Sequence, residues 1–93
     1  MGVAIVTVKI MPKSPDTDLK KIEKEATKLI DKFAGKGGDR KTEIIPIAFG
    51  LSSLNMIFVL NESKGSPDPV AEQIAKLKGV QSAEIVDVRR AIG

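Results

Sequence analysis

Ser53-Leu54-Asn55-Met56-Ile57-Phe58-Val59-Leu60 decides the fold. Leu54, Met56, Phe58 and Leu60 recur every second residue, so they share one face of an extended strand and require a layer packed against that face. Two segments of helical period flank this strand. Upstream, Leu19, Ile22, Ala26, Leu29, Ile30 and Phe33 follow at spacings of three and four, which makes one apolar stripe on a helix. Downstream, Val70, Ile74 and Leu77 make a shorter stripe. Each helical segment is preceded by the same tripeptide, Ser14-Pro15-Asp16 and Ser66-Pro67-Asp68. Serine can cap, proline suits the first helical position and aspartate complements the positive helix dipole, so a helix start is predicted at both.

Three further strands complete the pattern. Val3 to Met11 is dominated by β-branched residues and ends at Pro12. Thr42 to Ala48 contains Pro46, which cannot donate to a ladder, so this strand is placed at a sheet edge or a bend. Val80 to Arg89 is the last. Gly35 with Gly37-Gly38 is predicted to stop the first helix, and Gly79 the second. Asn61 to Gly65 reads as a polar loop and Gly50 as a turn. The order β-α-β-β-α-β predicts an α+β, ferredoxin-like sandwich, a four-stranded antiparallel sheet with both helices on one face and the other face more open. Ninety-three residues suit one domain, taken as 1–93.

Composition narrows the chemistry. The chain has no cysteine and no histidine, so disulfides, thiolate metal sites and Cys or His catalysis are excluded. No metal, cofactor or catalytic residue is assigned. The opening Met-Gly-Val-Ala-Ile-Val has neither the basic region nor the cleavage site of a signal peptide, and its apolar run is too short for a membrane span. A cytoplasmic location is expected, with no membrane partner. A net charge of +3 with acids interspersed gives no segregated basic footprint, and the strands lack the aromatics that stack bases, so direct nucleic-acid binding is not expected. Lys20, Lys24 and Lys28 line a helix face interrupted by Glu23 and Glu25 and read as a solvated face. Gly35-Lys36-Gly37-Gly38 follows a helix, the wrong place for a phosphate loop. Asp16 and Asp18 are explained by the helix dipole. Glu84 and Asp87, at odd separation in a strand, are expected on opposite faces and so form no dyad. No enzyme is predicted.

Two blocks are more specific. Ile45-Pro46-Ile47-Ala48-Phe49-Gly50-Leu51, and Gly79-Val80-Gln81-Ser82 continued by Ala83 to Arg90, resemble archaeal-type translation elongation factor 1-beta, as does Lys9-Ile10-Met11-Pro12 closing the first strand. The resemblance covers essentially the whole chain. It implies a ferredoxin-like fold and a guanine-nucleotide exchange factor whose partner is elongation factor 1-alpha, the GTPase that delivers aminoacyl-tRNA to the ribosome. It also implies partner contacts at Phe49, the aromatic of the Pro-Ile-Ala-Phe-Gly motif, and at Arg90. Larger eukaryotic relatives carry near their C-terminus a lysine that reaches the GTPase Mg²⁺ site, and that position falls on Arg90. Arginine keeps the charge but is larger and flatter than lysine, and the chain continues with Ala91-Ile92-Gly93. Arg89, Gln81 and Ser82 join these as partner-facing candidates, with Arg89 pointing to the face opposite Arg90.

Each assignment has a plainer counterpart in the residues themselves. Phe49 reads as a contact or as a packing aromatic where a strand ends, and Gln81 and Ser82 as interface groups or as caps of the loop entering the last strand. Two other functions fit the fold: a small ligand-binding or regulatory domain, and an acylphosphatase-type hydrolase. The hydrolase requires an arginine in the loop after the first strand, and residues 11–18 contain none.

Overall fold

The computed structural model describes residues 2–35, 40–61, 63 and 65–91. In chain order its elements are β1 (Val3–Pro12), α1 (Leu19–Ala34), β2 (Arg40–Pro46), β3 (Ser52–Asn61), α2 (Asp68–Ala75) and β4 (Val80–Ala91). The strands form one antiparallel sheet in the order β2-β3-β1-β4. This is the ferredoxin-like α+β sandwich that the periodicities imply, with the proline-containing β2 at one edge and β4 at the other.

The core follows from the alternation. Ala4, Val6, Val8 and Ile10 of β1 and Leu54, Met56, Phe58 and Leu60 of β3 are buried on one face. Over them lie Ile22, Ala26 and Ile30 of α1 and Val70 and Ile74 of α2. On the opposite face Ile5 and Ile45 remain exposed, as expected for a sheet covered on one side. Lys20, Lys24 and Lys28 are exposed on α1.

The two Ser-Pro-Asp tripeptides behave differently. Ser66-Pro67-Asp68 does open a helix: α2 begins at Asp68, whose N–H is accepted by the Ser66 hydroxyl at 3.2 Å. Ser14-Pro15-Asp16 does not. It forms a turn in which Thr17 N–H donates to Ser14 C=O at 3.2 Å, and α1 starts at Leu19 under a different cap. Asp18 accepts from the backbone N–H groups of Lys20 and Lys21 at 3.1 and 3.3 Å. Asp18 is a better cap than Ser14 because its carboxylate is charged as well as correctly placed against the helix N-terminus.

At the other end of α1, Gly35 takes φ +91° and its N–H donates to Asp31 C=O at 2.9 Å. Gly37-Gly38 lies outside the described residues. Arg40, the first residue of β2, donates from its guanidinium to the Asp31 carboxylate and to Gly35 C=O, the latter at 2.6 Å. This partly buried pair ties the end of α1 to the start of β2. β2 begins two residues earlier than the periodicity indicates and ends at Pro46, which terminates the ladder.

Candidate partner-binding site

The chain following β2 turns at Ala48-Phe49-Gly50-Leu51. Leu51 N–H donates to Ala48 C=O at 3.1 Å, and Ile47 N–H to Leu51 C=O at 2.7 Å. Phe49 and Gly50 have φ of +61° and +75°. Two consecutive positive-φ residues define the type I′ geometry that suits the twist of an antiparallel hairpin. Glycine adopts it freely, whereas a bulky phenylalanine there is strained. Phe49 gains no packing in return, for it is 93% exposed. The reading as a packing aromatic is therefore wrong, and Phe49 stands as an exposed, strained aromatic on a hydrogen-bonded turn. Pro15 of the β1–α1 turn lies against this tip, 3.8 Å from where a Cβ on Gly50 would stand.

Ile44, Ile45 and Ile47 are also exposed around the tip. Sequence reasoning did not single out Ile44 or Ile47. The available signal was Ile44-Ile45-Pro46-Ile47, an apolar run without alternation on a strand that proline assigns to an edge.

Gln81 and Ser82 lie at this same end of the sheet, exposed at the start of β4. Ser82 is opposite Met11, and Gln81 sits at a register irregularity between Met11 and Pro12. The turn into β4 is held by backbone bonds, Lys13 N–H to Gly79 C=O at 2.9 Å and Val80 N–H to Leu77 C=O at 3.2 Å. Gly79 is required here twice over: its φ is +89°, and a Cβ would come within 3.0 Å of the Thr17 methyl.

Arg89 and Arg90 are at the opposite end. Arg90 pairs with Ala4 and Arg89 with Ile5 across the β1–β4 ladder. Nine residues of strand separate Arg90 from Gln81, about 30 Å. The five candidate residues thus form two groups rather than one patch. Arg89 and Arg90 do face opposite ways. Arg89 Nε donates to Asp87 Oδ2 at 2.9 Å on the open face, while Arg90 shares the helix-covered side with Ala4.

The expectation that Glu84 and Asp87 face opposite ways is overturned. The register shifts between Thr7 and Val8, so Val86 is an extra residue in β4. Glu84 pairs with Lys9 and Asp87 with Thr7, which lie on the same face of β1. A bulge adds one residue to the count and restores parity. The cross-strand neighbour Lys9 and the ion pair from Arg89 account for the two carboxylates without chemistry. Among the described residues, no group of three acidic side chains is placed to hold a metal ion. None of the described helices is long and apolar enough to cross a membrane.

Comparison with known proteins bears directly on this geometry. The family model of the EF-1 guanine nucleotide exchange domain matches residues 5–91. The chain belongs to the EF-1 guanine nucleotide exchange family. The match runs from within β1 to the last residue of β4, so it takes in both ends of the sheet. The chain is 44% identical over 92 residues to elongation factor 1-beta of Methanobrevibacter smithii, covering 97% of this chain and 98% of that protein. It is 39% identical over 90 residues to elongation factor 1-beta of Methanosarcina barkeri, with 97% and 99% coverage. Against the elongation factor 1-beta of Methanothermobacter thermautotrophicus the identity is 37% over 90 residues, with 97% and 98% coverage.

Proposed function

We propose that this chain, as a single exchange domain, promotes release of GDP from elongation factor 1-alpha during translation elongation. It does so in the cytoplasm by binding, without making or breaking a covalent bond and without touching nucleic acid. The observation that carries the reading is the family match across all six elements of the fold. The physical principle is linkage: a protein that binds the nucleotide-free GTPase more tightly than its GDP form weakens GDP binding by the same factor.

The two groups of residues suit two parts of that task. Phe49, presented on a rigid turn, supplies an apolar anchor of the kind that dominates interface energy. Gln81 and Ser82 add polar contacts at the same end. Arg90, at the far end, supplies a guanidinium able to pair with phosphate or with the carboxylates that support a bound metal. Arg89 adds charge on the opposite face.

The test is the rate at which labelled GDP leaves purified elongation factor 1-alpha, with this protein at substoichiometric amounts. Accelerated release is expected. Release unchanged at excess protein would end the exchange reading and favour a ligand-binding or regulatory domain.

A further inference from the structure

β2 and β4 are the two edges of the sheet, and they are not equally open to another strand. β4 carries the Val86 irregularity, a device that twists an edge away from further pairing. β2 pairs with β3 from Arg40 to Pro46 without a register shift. Its parity is fixed at the hairpin, where Ile47 N–H donates across to Leu51 C=O. Backbone groups alternate in direction along an antiparallel strand, so Ile45, Glu43 and Lys41 also point theirs toward β3. Arg40, Thr42, Ile44 and Pro46 then point theirs outward. Pro46 gives up no ladder bond for its missing N–H, and the outward groups of Arg40, Thr42 and Ile44 have no strand beyond them.

We propose that β2 pairs antiparallel with β2 of a second copy of this chain, Thr42 opposite Thr42, so that two four-stranded sheets join across a twofold axis. The register follows from charge. Only registers that set outward groups against outward groups can form a ladder. With Thr42 opposite Arg40, Lys41 meets the partner's Lys41; with Thr42 opposite Ile44, Glu43 meets the partner's Glu43. Like charges directly opposite destabilise a strand pair. With Thr42 opposite Thr42, Lys41 meets the partner's Glu43 and Glu43 meets the partner's Lys41. Both side chains lie on the open face, as their neighbours Ile57 and Asn55 on β3 do. Both cross-strand contacts fall at positions between the hydrogen-bonded pairs, where opposed side chains stand closest. Within one chain Lys41 and Glu43 are 3.8 Å apart and largely exposed, so each is free to bridge to the copy. The lysine that guards an edge against arbitrary strands is thus answered two residues later in the same strand. An extended segment of another protein fits the same edge, but the complementary charges are already present in β2 itself. Phe49 lies seven residues from the axis, about 23 Å. The two tips stand at opposite ends of the paired strands, and the inference does not depend on the exchange reading.

The experiment is sedimentation equilibrium of the purified protein across about 0.01–1 mM, since a contact this short is expected to dissociate on the order of 0.1–1 mM. The variants are Lys41→Glu, Glu43→Lys and Thr42→Pro, each checked for an unchanged melting temperature. Wild type is expected to form dimers. Either charge reversal alone should raise the dissociation constant about tenfold, since it sets like charges opposite at both contacts. An equimolar mixture of Lys41→Glu and Glu43→Lys should recover dimers, because each then meets its opposite. Thr42→Pro removes an outward N–H and leaves the ladder to β3 intact, so it should abolish pairing. A wild type that stays monomeric at 1 mM overturns the inference, and if Thr42→Pro then weakens binding to the GTPase, the edge receives a strand of that protein instead. Dimers that persist in Thr42→Pro form through another surface. Dimers lost in Thr42→Pro but unaffected by either charge reversal form in another register. Both results overturn the pairing proposed.

Discussion

The two ends of the sheet are built on opposite plans. At the hairpin end the backbone is closed by its own hydrogen bonds, and a strained Phe49 stands almost wholly in solvent. At the far end Arg90 lines a cleft together with Ala4, Val6, Leu60 and Val88. The hairpin end offers apolar area on a fixed support and carries no charge at its tip. Such a surface binds the GDP and nucleotide-free forms of a GTPase equally well unless the part it touches moves. The far end offers a guanidinium, whose interaction changes sharply with phosphate and metal. Uniform binding alters affinity alone, whereas a contact that differs between states alters the exchange rate. On the proposed exchange reading, affinity then belongs to one end and rate to the other.

The largest expected effect tests the rate end. Arg90→Ala is expected to lower the saturated rate of GDP release about thirtyfold, the equivalent of about 2 kcal/mol for a lost charged contact at an interface. Its half-saturating GTPase concentration should move little. Equilibrium denaturation should place its stability within about 0.5 kcal/mol of wild type, since the residue is exposed at a strand end. A variant that exchanges at the wild-type rate would remove the division between the ends.

Phe49→Ala is expected to do the reverse. The half-saturating concentration should rise about tenfold, in the range that separates interface anchors from bystanders, with the saturated rate retained. The ring is too exposed for its loss to cost the 3–5 kcal/mol of a buried phenylalanine. Phe49→Gly sharpens the point: it removes the same ring but relieves the positive φ, so it should stabilise the fold by about 1 kcal/mol while losing the same affinity. A melting temperature that falls in both variants would restore a packing role.

How far these features are legible in the sequence differs between fold and site. The sandwich is readable because each layer leaves a period, two in β3 and 3.6 in α1, and burial enforces both. Helix starts are less readable. Ser14-Pro15-Asp16 and Ser66-Pro67-Asp68 are the same tripeptide, but the first closes a turn of its own, Thr17 N–H to Ser14 C=O, and Asp18 takes the cap. The candidate site residues come from the resemblance, and their arrangement is not readable in it. Arg90 and Gln81 share one strand, yet strand length places them at opposite ends. Parity counting also failed at Glu84 and Asp87, because no residue type announces the Val86 bulge.

A third prediction separates stability from both kinds of contact. Arg40 joins α1 to β2 through Asp31 and Gly35 C=O. Arg40→Ala leaves the Asp31 carboxylate without this partner at a partly buried site. A loss of about 1–2 kcal/mol is expected, in line with hydrogen bonds to charged groups, and is read as a lower denaturant midpoint at unchanged slope. Exchange measured well below the melting temperature should keep both its rate and its half-saturation, because the clamp holds the fold and faces neither tip.

The smallest expected effect is the most discriminating. Arg89 has the same charge as Arg90, sits next to it and is equally near the end of β4. It differs in its face and in its partner, the Asp87 carboxylate 2.9 Å away on the open side. If proximity and charge alone drove exchange, Arg89→Ala and Arg90→Ala would slow it equally, and both deficits would shrink together as salt screens the attraction. If the geometry of the cleft side matters, Arg89→Ala should slow exchange less than about fivefold, the equivalent of the 0.2–1 kcal/mol that an exposed pair is worth. Raising the ionic strength from about 0.05 to 0.3 M should then erase the Arg89 deficit and leave most of the Arg90 deficit in place. A charge held against a desolvated target is screened little, while one reaching through open water is screened strongly. Equal deficits with equal salt dependence would mean that the far end acts as a basic patch, and that the face on which each arginine projects carries no information about exchange.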